Sequence, residues 1–123
     1  MTPEAAASFA QDWIAAWSCK DVEAVLAHFA PGVRFTSPRA PATVGTATVV
    51  GKEALRAYWQ AAVAAIETIR FTLDHTVWDA ARQELAIVYT AAIDGRHLRA
   101  GEFMRFDPDG LIIAGEAMYG APL

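Results

Sequence analysis

The spacing of apolar residues divides the chain into a helical first half and a second half made of strands. Up to about residue 67, apolar positions recur every three or four residues, as in helices buried on one side. From about residue 68 the spacing becomes two, the period of a strand, and stays so almost to the end. Helices followed by consecutive strands predict an α+β fold, with the helices packed on a curved antiparallel sheet.

Three helices are predicted in the first half. The first begins at residues 2–4, where a threonine hydroxyl can cap the helix and a proline takes its first position. The second ends at the Pro-Gly pair at 31–32, and the third covers residues 52–67. Between the last two, residues 33–35 predict a short strand. Residues 46–50 can pair briefly within a loop-like segment.

Four strands are predicted in the second half, at residues 69–78, 85–93, 96–106 and 111–119. Asp94-Gly95 predicts a two-residue hairpin, and residues 107–110 predict a four-residue turn. Directly opposed residues share one face of a sheet, so these turns fix which side chains meet. The face predicted to lie under the helices carries Leu85, Ile87, Tyr89, Leu98, Ala100, Glu102, Met104, Ile113, Gly115, Ala117 and Tyr119.

Glu102 is a carboxylate in the middle of this apolar face. The predicted register places Ile87 on one side of it and Gly115 on the other. Because Gly115 has no side chain, we expect open space beside the carboxyl, and therefore a pocket. Burial should raise the pKa of Glu102 above the ~4.3 of a free glutamate. Glu102 is then an acid, a base or a ligand anchor, or else a buried acid satisfied by Trp13, Tyr58 or water.

The candidate ligand-binding residues share the predicted interior with Glu102. For each aromatic residue, ordinary core packing is the alternative interpretation. His75 is the weaker catalytic candidate, because the turn near residues 79–83 has an ambiguous length and a one-residue slip reverses the face of a strand. The predicted ligand-binding set is Trp13, Trp17, Tyr58, Trp59, Tyr89, Met104, Gly115 and Tyr119.

The opposite face of the sheet carries apolar residues beside charged ones. Phe103, Ile112 and Met118 lie there in the predicted register, next to Arg99, Arg105 and Glu116. An apolar patch surrounded by charge predicts the interface of a homodimer. The alternative is a surface that the chain's own loops partly cover.

Composition narrows the classes of function. A net charge of −4 without a Lys/Arg cluster argues against nucleic acid as a partner. One cysteine and three scattered histidines predict no disulfide and no metal site. The N-terminal segment does not match a secretory signal, and no apolar run approaches the ~20 residues that span a membrane. We therefore expect a cytoplasmic protein that does not contact a membrane.

The segments "WIAAWSCKDVEAVLAHFAPGVRFTSP", "GKEALRAYWQ", "EFMRFDPDGLI" and "MYG", in this order, resemble the nuclear transport factor 2-like superfamily. The nearer resemblance is to its SnoaL-like and ketosteroid-isomerase-like members. It implies one domain over residues 1–123: a cone of cystatin-like α+β type, with helices closing a strongly bent sheet around an apolar cavity, usually in a homodimer. It does not imply one reaction, because the superfamily hosts isomerases, cyclases, hydrolases and domains without chemistry.

Several positions depart from the pattern of these relatives. In ketosteroid isomerases, the acid that matches Glu102 donates a hydrogen bond to a substrate oxyanion. Their aspartate base is matched here by Ser37, and the tyrosine of their first helix by Trp13. The aspartate expected on the last strand of a SnoaL-like cyclase is matched by Ala117. The resemblance therefore supports neither reaction.

Three functional hypotheses remain, the first two with a small hydrophobic molecule as partner. The first is an enzyme of isomerase, cyclase or hydrolase type that needs no cofactor and uses Glu102 as acid or base. The second is a non-catalytic binding module in which Glu102 only anchors the ligand, and the third is a dimerisation domain whose cavity is vestigial. Catalysis needs a second titratable group near the pocket, and His75 is the one candidate, so its orientation bears on the choice.

Overall fold

A computed structural model describes residues 1–123 of the chain as helices and strands around one sheet. The strands form a six-stranded sheet in the order β2-β1-β6-β5-β4-β3, in which only β1 and β6 are parallel. The predicted α+β class, with helices on a curved sheet, is confirmed. The elements are α1 Pro3–Ser18, α2 Val22–Leu26, β1 Phe29–Thr36, α3 Ala40–Val44, β2 Thr48–Val50, α4 Lys52–Ala64, β3 Ile69–Asp79, β4 Glu84–Ile93, β5 Arg96–Phe106 and β6 Ile112–Pro122.

The first half differs from the predicted helices at two places. Helix α1 begins as predicted, with the Thr2 hydroxyl accepting a hydrogen bond from the Ala5 N–H at 3.1 Å. Helix α2 ends at Leu26, however, and Pro31 lies inside β1. The pairing of β1 with β6 shifts register around this proline, which has no N–H to donate to a ladder. The predicted loop also contains the short helix α3.

The first hairpin has the predicted register. Ile93 lies opposite Arg96, and Ile87 lies opposite Glu102. Asp94 and Gly95 both have positive φ, 50° and 81°, as a two-residue turn of this type requires. Glu102 therefore faces the helices, as predicted.

The second hairpin does not have the predicted register. Phe106 pairs with Ile112 instead of residue 111, and a bulge follows between Arg105 and Phe106. This bulge leaves Ile113 without a partner and 38% exposed, while Ile112 is fully buried. The sequence analysis predicted Ile113 on the inner face and Ile112 on the outer face. The bulge is the physical reason for the error.

A second bulge interrupts β3. Leu73 lies opposite Tyr89, and His75 lies opposite Val88, so Asp74 between them has no partner on β4. Beyond the bulge, Thr76 lies opposite Ile87 and takes up the inward phase again. Asp74 and His75 consequently both lie outside the stripe of inward-facing residues.

Candidate functional site

A cavity of about 80 Å³ lies between α1, α4 and the inner face of the sheet. It is lined by 17 residues, of which 14 are hydrophobic, so Ser37, Arg39 and Glu102 are its non-hydrophobic lining residues. Aromatic rings make up much of the wall because α1 and α4 meet the sheet through them. The predicted residues that line the cavity are Trp13, Trp17, Tyr58, Trp59, Tyr89 and Tyr119.

Glu102 is buried in this wall, with 4% of its surface exposed. Burial alone raises its pKa to about 8, with no compensating hydrogen bond or cation. A carboxyl with this pKa is mainly protonated at neutral pH, so its O–H is a hydrogen-bond donor. The predicted direction of the shift is confirmed, whereas Trp13 and Tyr58 do not satisfy the carboxyl.

Trp13 contributes a second unsatisfied group to the same cavity. Its indole N–H is buried and has no hydrogen-bond acceptor. The ring packs against Tyr89, with centroids 5.2 Å apart at an interplanar angle of 73°, and this contact holds the indole in place. Buried donors without acceptors are uncommon in proteins, because each one loses its hydrogen bonds to water.

Tyr89 and Tyr119 remain neutral phenols at physiological pH. Burial, and after it the charge of Glu102, raises the pKa of both, that of Tyr119 to about 12. The Arg39 guanidinium lies 4.3 Å from the centre of the Tyr119 ring and partly opposes the pKa increase of both tyrosines. Ser37 is buried beside them, and its hydroxyl accepts a hydrogen bond from the backbone N–H of Arg39 at 3.2 Å.

Met104 and Gly115 belong to the predicted set but lie outside the cavity. They face each other across β5 and β6, and Met104 is packed in the core. The Phe35 ring covers Gly115, since a Cβ at that position would be 3.1 Å from Phe35 Cδ1. Residue 117, an alanine, takes the place opposite Glu102, so a small side chain leaves the space that the glycine was expected to leave.

His75 does not face the cavity. Its side chain is 56% exposed and lies 3.7 Å from the neighbouring Asp74 carboxylate. The bulge in β3 keeps it off the inner face, so the weaker catalytic candidate is not brought to Glu102. No group of three or more His, Cys, Asp or Glu side chains is arranged to hold a metal ion.

The predicted site omitted ten of the 17 residues that line the cavity, and four of these, which add to its aromatic wall or its polar groups, are Phe35, Ser37, Arg39 and Phe71. Phe71 could have been found, because it lies between Ile69 and Leu73 at the spacing of an inward-facing strand. Phe35 in β1 and Ser37, directly after the strand, continue the same alternation of buried positions. Arg39 had no such signal, because it follows a proline in a segment that looked like a loop.

The family of the chain follows from comparison with known proteins. The SnoaL-like domain family matches residues 10–115. The chain belongs to this family. This SnoaL-like domain is 32% identical to a SnoaL-like protein of unknown function from Burkholderia thailandensis, with a TM-score of 0.87 over 98% of both chains.

More distant structures share the fold of this SnoaL-like domain. A putative ketosteroid isomerase from Kribbella flavida is 15% identical, with a TM-score of 0.75 over 97% of this chain and 80% of the other. A computationally designed 17-OHP binder is 24% identical, with a TM-score of 0.74 over 94% and 91%. Comparison with curated proteins finds no match. None of the helices is long and apolar enough to cross a membrane.

Proposed function

We propose that this SnoaL-like domain binds a small, mostly apolar molecule that carries one hydrogen-bond acceptor, such as a carbonyl oxygen. The acceptor would lie at Glu102 and Trp13. The observation that carries this proposal is the presence of two buried donors without partners in the wall of one apolar cavity.

The two donors favour a ligand over a solid core. Burying a polar group without a hydrogen bond costs about 1–3 kcal/mol, so two such groups beside one cavity are expensive unless something occupies it. A carbonyl oxygen has two lone pairs and can accept from both donors. The aromatic walls would bind the apolar remainder of the molecule.

The size of the cavity limits the part of a ligand that it can hold. Pockets for drug-sized ligands measure roughly 300–1,000 Å³, whereas this cavity measures about 80 Å³. A compact molecule, or one end of a longer molecule, fits this volume. The designed 17-OHP binder shows that a protein of this fold can be made to hold a ligand.

Binding without chemistry is the better-supported form of the function. No second group that titrates near neutral pH lies beside the carboxyl: the pKa values of Tyr89 and Tyr119 are raised, and His75 is outside. The family resemblance matches Ser37 to the aspartate base, and a serine cannot replace that base unaided. The second candidate is an enzyme that uses Glu102 alone. Its pKa of about 8 favours this candidate, because such a carboxyl can give and take a proton near neutral pH.

Binding of 2-butanone, a ketone smaller than benzene, measured by tryptophan fluorescence or NMR titration, tests the proposal. 2-Methyl-1-butene has nearly the same shape without the acceptor, and we expect it to bind about ten- to hundredfold more weakly, as expected for loss of two hydrogen bonds. Glu102→Met removes one of the two donors and should reduce the preference for the ketone. Glu102→Gln keeps an N–H donor and should retain it.

Two results would contradict the proposal. Equal affinity for the two compounds in the wild type would show that no donor of the protein forms a hydrogen bond with the carbonyl oxygen of the ligand. A ketone preference that is unchanged in Glu102→Met would assign the recognition to other groups. Turnover of a ketone substrate that Glu102→Gln abolishes, with affinity unchanged, would establish the enzyme instead.

We also propose that the domain forms a homodimer through the outer face of the sheet. Phe103 and Met118 remain on that face, and Met118 is 47% exposed. Ile112 is not part of it, because it is buried in the core. The exposed Ile113 adds apolar surface near the start of β6. Exposed apolar side chains on a sheet face favour a subunit interface.

A further inference from the structure

A second cavity adjoins the first one. It measures about 530 Å³ and shares Arg39 and Ile93 with the cavity that contains Glu102. Its remaining lining consists of Ala91, Leu98, Asp94 and Arg96, at the end of the sheet formed by the β4–β5 hairpin. The two cavities thus form an inner chamber with mostly apolar walls and an outer chamber that is open to solvent. Three apolar residues and the exposed Arg39, Asp94 and Arg96 line the outer chamber.

The outer chamber has two arginines without ionic partners. Neither Arg39 nor Arg96 forms a salt bridge, whereas four other arginines in the chain pair with carboxylates. Asp94 also lines this chamber, but its carboxylate accepts hydrogen bonds from the backbone N–H groups of Glu67 and Thr68, at 2.9 and 2.8 Å. The chamber is therefore positively charged overall in a chain with a net charge of −4.

Arg39 connects the two chambers electrostatically. Its guanidinium stacks on the ring of Tyr119, which lines the inner cavity. Its charge acts on Tyr119 and Tyr89 but is not among the influences on Glu102. An anion bound at Arg39 would therefore be paired with the arginine, and it would lie apart from the buried carboxyl of Glu102.

The volumes leave room for a ligand that extends through both chambers. The inner cavity is about half the size of the ~150 Å³ void that admits benzene. It therefore holds either a molecule smaller than benzene or one end of a longer molecule, whose remainder would lie in the larger chamber beside the arginines.

We propose that the ligand is a carboxylate with an apolar chain and a distal carbonyl group. The carbonyl would lie at Glu102 and Trp13 in the inner chamber, and the carboxylate between Arg39 and Arg96 in the outer chamber. The inference rests on the proposed function and adds the charge and the polarity of the ligand. Arginine suits this role because its planar guanidinium binds carboxylates through two parallel hydrogen bonds.

A series of methyl-ketone carboxylates tests this inference. The probes are 5-oxohexanoate, 7-oxooctanoate and 9-oxodecanoate, each compared with its uncharged methyl ester by calorimetry or NMR titration. At the chain length that spans the two chambers, we expect the carboxylate to bind at least about tenfold more tightly than its ester, within the range of charge-assisted contacts. The advantage should be smaller at the other two lengths.

Arginine variants locate the effect. Replacing both arginines, Arg39→Gln with Arg96→Gln, should reduce the advantage of the carboxylate to less than about threefold. Arg34→Gln removes the same charge from an exposed arginine that also has no salt bridge but lies in a groove on the outer sheet face, and it should leave the advantage unchanged. Adding salt should weaken the carboxylate more than the ester.

The possible failures are distinguishable. If carboxylate and ester bind equally, or if the double variant retains the advantage, the inference is wrong, while a ketone preference that depends on Glu102 would leave the proposed function standing. If neither the esters nor 2-butanone bind the wild type, the proposed function is wrong and the inference falls with it.

Discussion

Glu102 and Ala117 lie directly opposite each other on β5 and β6. The methyl group of Ala117 neither covers the carboxyl nor offers it a hydrogen bond, and Ile87 on the other neighbouring strand is equally inert. The carboxyl is therefore dehydrated without compensation, which is why burial alone determines its pKa.

This arrangement predicts that the protein loses stability as the pH rises. The pKa of Glu102 is about 8 in the folded protein and 4.5 in its ordinary state, so the folded protein keeps a proton that the unfolded chain has released. The resulting decrease in the free energy of unfolding is absent below about pH 4.5 and grows by about 1.4 kcal/mol per pH unit up to about pH 8. Chemical denaturation at several pH values between about 5 and 8 measures this slope.

Glu102→Gln provides the control for that measurement. Glutamine does not titrate, so its free energy of unfolding should stay nearly constant over the same range and exceed that of the wild type at about pH 8. Glu23, Asp74 and Asp79 have lowered pKa values, and their contributions are lost only in more acidic solution. Parallel pH profiles of the two proteins would show that another group causes the slope.

Replacing Trp13 should weaken ketone binding selectively. Trp13→Phe removes the unsatisfied indole N–H, and we expect the affinity for 2-butanone to fall about three- to tenfold, the value of one hydrogen bond. Trp17→Phe makes the same change on the same helix and in the same cavity, but the N–H of Trp17 is not a buried donor without an acceptor. Equal losses of affinity in the two variants would argue against a hydrogen bond from Trp13.

Glycine 115 should not tolerate a side chain. In Gly115→Ala the new methyl group would be 3.1 Å from the ring of Phe35, so the ring or the strand must move. We expect a loss of about 1–2 kcal/mol in the free energy of unfolding. Gly101→Ala is the matched control on the adjacent strand, because its nearest contact is 3.7 Å and ordinary. Equal stabilities of the two variants would contradict the packing described here.

A charge on the outer face should dissociate the proposed homodimer. In Met118→Glu, a carboxylate would be buried at the interface, and sedimentation analysis should show a shift towards monomer. Val44→Glu places the same charge at an exposed apolar position on α3 and should not change the mass. A wild type that is monomeric at all concentrations, or an unchanged dimer in Met118→Glu, would rule out this interface.

The sequence predicts most of the inner face correctly where turns define the register. Asp94-Gly95 allows one kind of hairpin, so the position of Glu102 followed from counting residues. In the second hairpin the pairing beyond the bulge is displaced by two residues, and a displacement of two leaves every side chain on its predicted face. Ala117 and Tyr119 therefore face inward as predicted although their partners are different.

The errors lie where one extra residue enters a strand or where a loop places a side chain. Nothing in the hydrophobic pattern marks the bulges at Asp74 and Ile113, because each leaves local alternation intact on both sides. The direction of Arg39 depends on the short helix α3 and on the ring of Tyr119. Contacts of this kind, between distant parts of the chain, cannot be predicted from the spacing of apolar residues along the sequence.

The surplus residue in β3 has a consequence for how this strand can change during evolution. Deleting one residue from a strand normally turns every later side chain to the opposite face of the sheet. The apolar side chains of the core are then exposed and the polar side chains are buried. At Asp74 the same loss would leave Leu73 and Thr76 looking inward, because the strand would simply become regular there. The main interaction lost would be the ion pair between Asp74 and Arg99 on the outer face of the sheet. Position 74 is thus a point at which this fold can shorten by one residue without rebuilding its interior.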